Sequence, residues 1–480
     1  MVTIDDLPDD DLLTIFDFHM FKYQGLNLDQ TGNYEIKRRV ESWQSLVHVC
    51  RRWRGLVFGS PRRLDLQLFS IPGTLASTRL SLDIWPALPL LIRGYVLKET
   101  ALDDVIAELK QSDRISQIDL DCHSTLQIEK LWTALQVPFP VLEVLHLSYE
   151  DVSYVPVLPD SFLGGSAQRL RFLRLASIPS PGLPNLLLSA THLVHFTLLN
   201  IPHSGYISPE TMATCLSVLS SLESLQLEFG SPQSSPDQES RRPPLPTRFV
   251  LPALEGFSFK GVNEYLESLL AHIDAPRFYR LSAKFFNDID FNTSELNQFI
   301  SRTPTFGTHD GTRLIFRSRD ALVRLRPFQP ERSDHRMVQV TILCQVSNWQ
   351  LSSLAQICTL SFNLFLTIEN LWIHEDLSSP PSWKDDIENT EWLDLLLPFI
   401  AVKNLYLSKK FSPHIACALQ ELSGGRTTEV LPALQNVFLE GFQSSEPFHE
   451  GIRQFISARQ LTNLPVAISV WERDLEQETL

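Results

Sequence analysis

Apolar positions in this chain keep two different rhythms, and the change falls near Arg62. Before it the rhythm is helical. Leu12, Ile15 and Phe16 stand at i, i+3 and i+4 and make one stripe. Pro8 suits the first turn, where its missing N–H costs nothing, and Asp9, Asp10 and Asp11 lie where the positive end of the helix dipole favours negative charge. A helix this short must lay its stripe on something outside itself. A second helix is predicted across "ESWQSLVHVCRRWRGLVF". Trp43, Leu46, Val47, Cys50, Trp53 and Val57 share one face, Val49 and Leu56 add a second edge, and Gly59-Ser60-Pro61 ends it. Polar, turn-rich residues 23–42 separate the two helices.

From Arg62 onward a short unit, L-x-x-L-x-L, recurs. It reads LEVLHL at Leu142, LRFLRL at Leu170, LVHFTL at Leu193, LESLQL at Leu222, LEGFSF at Leu254, VKNLYL at Val402 and LQNVFL at Leu434. Looser copies stand at Ile115 and Ile368. Successive clear copies are roughly 23–34 residues apart, near the leucine-rich-repeat range. Helical stretches fall between copies. Leu102, Val105, Ile106 and Leu109 share a face, as do Ile128, Leu131, Trp132 and Leu135. Ser208 and Pro209 open a third helix that carries Met212, Cys215, Leu216 and Leu219. A unit that cannot bury its apolar face alone stacks on its neighbours. The expected fold is therefore α/β: an N-terminal helical region over residues 1–60, then an irregular leucine-rich-repeat-like solenoid with a parallel sheet over 61–480. Each copy returns in the same direction after its crossover, which requires parallel pairing. An ordinary globular α/β domain is the competing reading.

The repeats are irregular. The asparagine usual after the last leucine is missing, with Glu150, Gly230 and Val262 in its place. Residues 230–248 read as a disordered loop, a second insertion starts at Asp376, and the repeat is weakest between 283 and 356.

Composition narrows the function classes. Hydrophobic residues make up 43% of the 480 positions, enough for a large core. The net charge of −15 argues against nucleic acid as the general partner, since phosphate binding needs a basic surface. No apolar run is long enough for a membrane span, and the acidic start lacks a signal-peptide pattern. Six scattered cysteines fit a reducing compartment, so a cytoplasmic or nuclear protein is expected.

"LPDDDLLTIF" followed by "SLVHVCRRWRGLV" resembles the F-box, which opens with Leu-Pro, an acidic turn and Ile-Phe, and continues with Val-Cys-Arg-x-Trp. The continuation "GSPRRLDLQL" and "LDIWPALPLLI" is similar to F-box proteins of mushroom-forming fungi, which carry a degenerate leucine-rich array. The resemblance implies a substrate receptor of a Skp–cullin–F-box ubiquitin ligase. A Skp-type adaptor would then dock on Leu7, Pro8, Leu12, Ile15, Phe16, Leu46, Val49, Cys50 and Trp53, and through it a cullin. The segment from Gly25 to Ser42 is longer and more charged than in a minimal box. Independently of the family, Lys37, Arg38, Arg39, Arg51, Arg52, Arg54, Arg62 and Arg63 make a basic patch that suits an acidic protein partner. A solvated helix edge and a nucleic-acid contact are the other readings of that patch.

Catalytic signatures are missing: the sequence has no G-x-S-x-G, H-E-x-x-H, Walker loop or dinucleotide fingerprint. His192 and His195 have metal-like spacing without a flanking Cys or carboxylate, and Cys50 reads as packing. No cofactor, metal or catalytic residue is expected. Three function classes compete: ligase receptor, F-box scaffold outside a ligase, and an enzyme whose site the repeats hide. An unknown protein substrate would meet the residues that alternate with the core leucines. These include Phe172, Arg174, His195, Gln226, Lys260, Tyr406 and Phe438, together with Val144, His146, Thr197, Ser224, Ser258, Asn404 and Asn436.

Overall fold

The computed structural model describes residues 4–21, 42–64, 66–70, 88–96, 99–150, 156–232, 248–286, 293–306, 309–327, 336–344, 349–361, 363–383, 387–422, 426–441 and 449–473. Most of the linker between the first helices, with Lys37, Arg38 and Arg39, lies outside them, as do most of the loop expected over 230–248 and part of the insertion after Asp376. The chain forms two compact units, Met1–Tyr206 and Ile207–Leu480.

The first unit opens with α1 (Asp9–Phe21), whose first turn holds the three aspartates as expected. The expected second helix is two helices, α2 (Ser42–Val47) and α3 (Arg51–Gly59). Between them Cys50 is extended, with φ −156° and ψ 171°, and its Sγ accepts from the Trp53 N–H at 3.4 Å. Cys50 is thus the N-cap of α3 and not a residue within one continuous helix. The β-branched Val47 and Val49 weaken the helix there, and the sulfur satisfies an N–H that the new helix start leaves without a partner. The core of the three helices is Leu12, Phe16, Trp43, Val47 and Val57, all fully buried, with the Phe16 ring 4.7 Å from that of Trp53. Trp43 Nε1 donates to the Gln67 carbonyl at 3.0 Å and ties the helices to the strands that follow.

Those strands are β1 (Leu68–Ser70), β2 (Leu90–Val96), β3 (Ile115–Cys122), β4 (Val144–Tyr149), β5 (Phe172–Ala176) and β6 (His195–Ile201). They lie in chain order and every pair is parallel, including the copies at Leu142, Leu170 and Leu193. The register aligns Val144, Phe172 and His195. Leu145, Leu147, Leu173, Leu175, Phe196 and Leu198 are buried, so the period-two reading holds. Helices α4 (Glu99–Leu109) and α5 (Thr125–Ala134) form crossovers, the latter capped by Ser124, whereas α6 (Leu183–Leu187) is barely a turn.

The turn that enters each strand is satisfied by backbone. The first residue of each clear copy donates to the carbonyl three residues earlier: Leu170 to Ala167, Leu193 to Ala190, Leu222 to Leu219, Val402 to Phe399, and Leu434 to Leu431. The residue before each strand donates to its counterpart in the previous copy, as Arg171 does to Glu143 and Val194 to Arg171, both at 2.8 Å. Successive copies thereby satisfy each other's turns.

In the second unit, α7 (Pro209–Leu216) has its predicted Ser208 cap, and a ten-stranded sheet follows. Its strands run β7 (Ser224–Phe229), β9 (Gly256–Gly261), β11 (Arg280–Phe286), β14 (Met337–Leu343), β13 (Asp320–Pro327), β12 (His309–Phe316), β15 (Asn370–Glu375), β16 (Asn404–Leu407), β17 (Asn436–Glu440) and β18 (Ala467–Trp471). A separate parallel pair joins β8 (Phe249–Val250) to β10 (Ile273–Asp274). Helices α8 (Asn263–Leu270), α9 (Ser294–Arg302), α10 (Trp349–Ser361), α11 (Asn389–Leu396), α12 (Ser412–Gln420) and α13 (His449–Leu461) connect the strands.

The expectation of a wholly parallel sheet is corrected at β13, which is antiparallel to both β12 and β14. This meander explains why the repeat fades between 283 and 356. Ion pairs pin its hairpin: Asp320 meets Lys284 at 3.3 Å, and Arg317 meets Asp376 at 2.7 Å. The insertion after Asp376 packs back, with Trp383 stacked on Phe411 at 5.0 Å and donating to Gln350. Arg459 on α13 is fully buried and donates to the carbonyls of Thr427, Leu431, Pro432 and Leu434, the turn that feeds β17. Among the described residues no helix is long and apolar enough to cross a membrane.

Candidate protein-docking surfaces

Two kinds of surface stand out, one on the N-terminal helices and one on the sheet face opposite the core leucines. On the helices, the residues named from the sequence divide by burial. Leu12, Phe16 and Leu46 are buried inside the unit, while Leu7, Cys50 and Trp53 are half-buried. Pro8, Ile15 and Val49 face solvent, with Ile15 44% and Val49 58% exposed. Phe18, at 74%, is the most exposed large apolar residue of these helices among the described residues and lay outside the predicted stripe. Its position, three after Ile15, was the signal that could have found it.

Part of the basic patch is engaged within the helical region. Arg52 pairs with Asp9 at 2.7 Å and donates to the Leu7 carbonyl at 2.6 Å. Arg63 pairs with Asp10 at 3.1 Å and donates to Thr14 Oγ1. Arg54 donates to the Val47 carbonyl at the end of α2. These contacts fix the start of α1 against α3; Arg54 and Arg63 stay exposed beside their partners, and Arg51 and Arg62 are exposed with no ion pair among the described residues. Bracing the fold is thus a use of Arg52, Arg54 and Arg63 that their sequence did not suggest.

On the outward face of the first unit, Phe172 is 39% exposed and stacks on His195, ring centroids 4.6 Å apart. The next row aligns Arg93, Asp119, His146, Arg174 and Thr197. Both Asp119 oxygens are taken, Oδ2 by Arg93 at 2.8 Å and Oδ1 by His146 Nδ1 at 2.7 Å. Arg174 is exposed.

In the second unit one row crosses the whole sheet: Gln226, Ser258, Ser282, Gln339, Arg324, Arg313, Trp372, Tyr406, Phe438 and Ser469. Tyr406 stacks on Trp372 at 4.8 Å and on Phe438 at 4.4 Å. The Arg313 guanidinium lies 5.9 Å from the Trp372 ring centroid. A Cβ at Gly311 would collide with that ring, so glycine makes room for it on β12. Alongside runs an amide ladder, in which Asn436 Nδ2 donates to Asn404 Oδ1 and Asn404 Nδ2 to Asn370 Oδ1, both at 2.8 Å. Lys260 is half-buried one row on. The sequence-named Gln226, Tyr406 and Phe438 thus share a row, whereas Trp372 was missed although the copy at Ile368 puts it in the Tyr406 slot.

Three buried thiols and one buried histidine are held neutral. Burial pushes Cys122 up to about 12 and Cys215 and Cys344 up to about 11, so none is a thiolate at neutral pH. Burial, helped by Arg473, Arg313 and Arg324, holds His374 down at about 3. Among the described residues no group of His, Cys, Asp or Glu is arranged to hold a metal ion. His192 is exposed and His195 is occupied in its stack. The chain matches no protein-family model and no curated protein.

Proposed function

We propose that the chain is the substrate-recognition subunit of a Skp–cullin–F-box ubiquitin ligase, working in the cytoplasm or nucleus. Its helical region would hold a Skp-type adaptor and its outward sheet faces a target protein, with no chemistry of its own. The observation that carries this is the division within the helices. Leu12, Leu13 and Phe16 turn inward while Ile15, Phe18 and Val49 stay in water. Large apolar side chains left exposed on a packed helical element suit a docking site, where a few buried anchors supply most of the binding energy. The F-box resemblance falls on the same element, at Leu7, Pro8, Ile15, Phe16, Val49, Cys50, Arg51 and Trp53.

The strand copies support a leucine-rich-repeat-like solenoid behind the box, because each copy satisfies its turns and buries its leucines through its neighbours. Aromatic and Arg side chains on the outward faces are the residues that protein interfaces favour.

Tagged full-length protein should copurify with a Skp-type adaptor and a cullin. The double variant Pro8→Ala, Ile15→Ala should lose both while its circular dichroism stays native. Adaptor without cullin would favour a scaffold outside a ligase, and recovery of neither would contradict the assignment.

A further inference from the structure

Three arginines lie within six residues of chain that also hold one exposed ring in the first unit. Arg169, Arg171 and Arg174 are all exposed, with Phe172 between them. Among the described residues none of the three forms an ion pair or a side-chain hydrogen bond. The chain as a whole carries −15, so three unpaired cations within six residues are a local reversal of its charge.

The row through Arg174 explains why it has no partner. Asp119, the carboxylate of that row, already holds Arg93 and His146. The immediate neighbours of Arg174 are His146 and Thr197, which carry no negative charge. In the row beyond, Asp121 accepts from Ser148, and the β5 position is Ala176, which carries no charge. In the row before, Phe172 lies between Val144 and His195. An apolar spot and an open guanidinium therefore stand two residues apart on one strand face, about 7 Å along β5.

We propose that this face, centred on Phe172 and Arg174, binds an extended protein segment that carries an Asp or Glu two residues from an apolar side chain. In an extended ligand such side chains point the same way at the same spacing. The apolar one covers Phe172 and the carboxylate meets the Arg174 fork, whose geometry matches one carboxylate bidentately. Carboxylate is favoured over phosphate because one guanidinium occupies the row, and a phosphate dianion is best met by several. Arg169 and Arg171, at the entry to β5, draw the acidic segment in, and the rest of the acidic chain repels it. The inference rests on the receptor reading and names the class of signal its substrate carries.

The test uses full-length protein on an array of Gly/Ser peptides that hold Phe and Glu two, three or four positions apart. Parallel spots place Gln, Lys or phosphoserine where Glu stood. Retention should be strongest for Phe and Glu two apart and at least about tenfold weaker with Gln or Lys, and Arg174→Glu should abolish the Glu preference. Arg174→Gln, a milder change at an exposed site, should weaken it in the same direction. Equal retention of Glu, Gln and Lys peptides would overturn the proposal, as would a preference for phosphoserine. Adaptor copurification of Arg174→Glu is measured in parallel and reports on the helices alone, so failure of one reading is visible apart from failure of the other.

Discussion

Tyr406 lies flat against Phe438, with ring centroids 4.4 Å apart and 8° between their planes. Adjacent parallel strands in register place the two at the same level, so sheet geometry sets the stack. The Tyr406 ring is also sandwiched by Trp372 and met edge-on by Trp471. Tyr406→Ser should therefore cost about 2 kcal/mol, from lost aromatic pairing and apolar area. Phe438→Ser, which removes a single stack, should cost less. Urea unfolding of the full chain, read by tryptophan fluorescence, measures both. Equal losses would mean that Tyr406 is not the centre of the ladder.

Arg459 supplies donors to four backbone carbonyls from a fully buried position. Arg459→Met keeps much of the stem but leaves those carbonyls without a donor, at a cost on the order of 4 kcal/mol. Arg459→Lys keeps the charge and loses the planar fork, so it should recover part of the loss. Denaturant midpoints for both variants check this ordering, and a neutral Arg459→Met would contradict it.

Cys50 offers a test that separates capping from packing. If its sulfur caps α3, Cys50→Ser should be neutral or stabilising, and Cys50→Ala should cost about 1 kcal/mol. A packing role would reverse the order, since serine is the more polar replacement. Thermal melts of the three proteins decide between them.

Much of this was legible in the sequence, for identifiable reasons. Period-two burial marks a strand and its inward face, so Leu145 and Leu147 or Leu225 and Leu227 could be placed without coordinates. A Ser-Pro pair before an apolar stripe marks a helix start, as at Ser208. Strand direction is different. The alternation in β12, β13 and β14 is the same whichever way a strand runs, so the fading repeat marked the meander but not the direction of β13. The break at Cys50 was hidden because the apolar spacing continues across it, each of the two helices contributing to one core. Arg459 was invisible because a lone arginine on a helix reads as a solvated residue. The outward rows could be listed residue by residue, but their pairings, such as Arg93 with Asp119, depend on register.

Stability should also carry a pH signature at Glu267. Its carboxylate accepts from the N–H groups of Glu295 and Leu296 at 2.7 and 3.0 Å, at the start of α9. Burial nevertheless pushes it up from 4.5 to about 7, against the lowering effect of those two donors. The folded chain thus holds the proton more tightly than the unfolded chain between these values. Its contribution is greatest below pH 4.5 and falls as pH rises through about 7. His309, held down at about 4 by burial and Arg336, works the other way, losing stability as pH falls from 6.5 towards 4. Comparing Glu267→Gln with the parent chain removes the His309 effect from the difference. The parent should lose stability relative to the variant between pH 4.5 and 7, and a pH-independent difference would contradict the assignment.

The most direct test of the receptor account is calorimetric titration of the purified full-length chain with a Skp-type adaptor, beside the variants Ile15→Asp and Phe18→Asp. Both side chains are exposed, so their replacement should leave the helices folded. The parent chain should bind, and each variant should bind at least about thirtyfold more weakly, the effect of losing an apolar anchor worth about 2 kcal/mol. No binding by the parent chain, or variants that bind as tightly as the parent, would contradict the account.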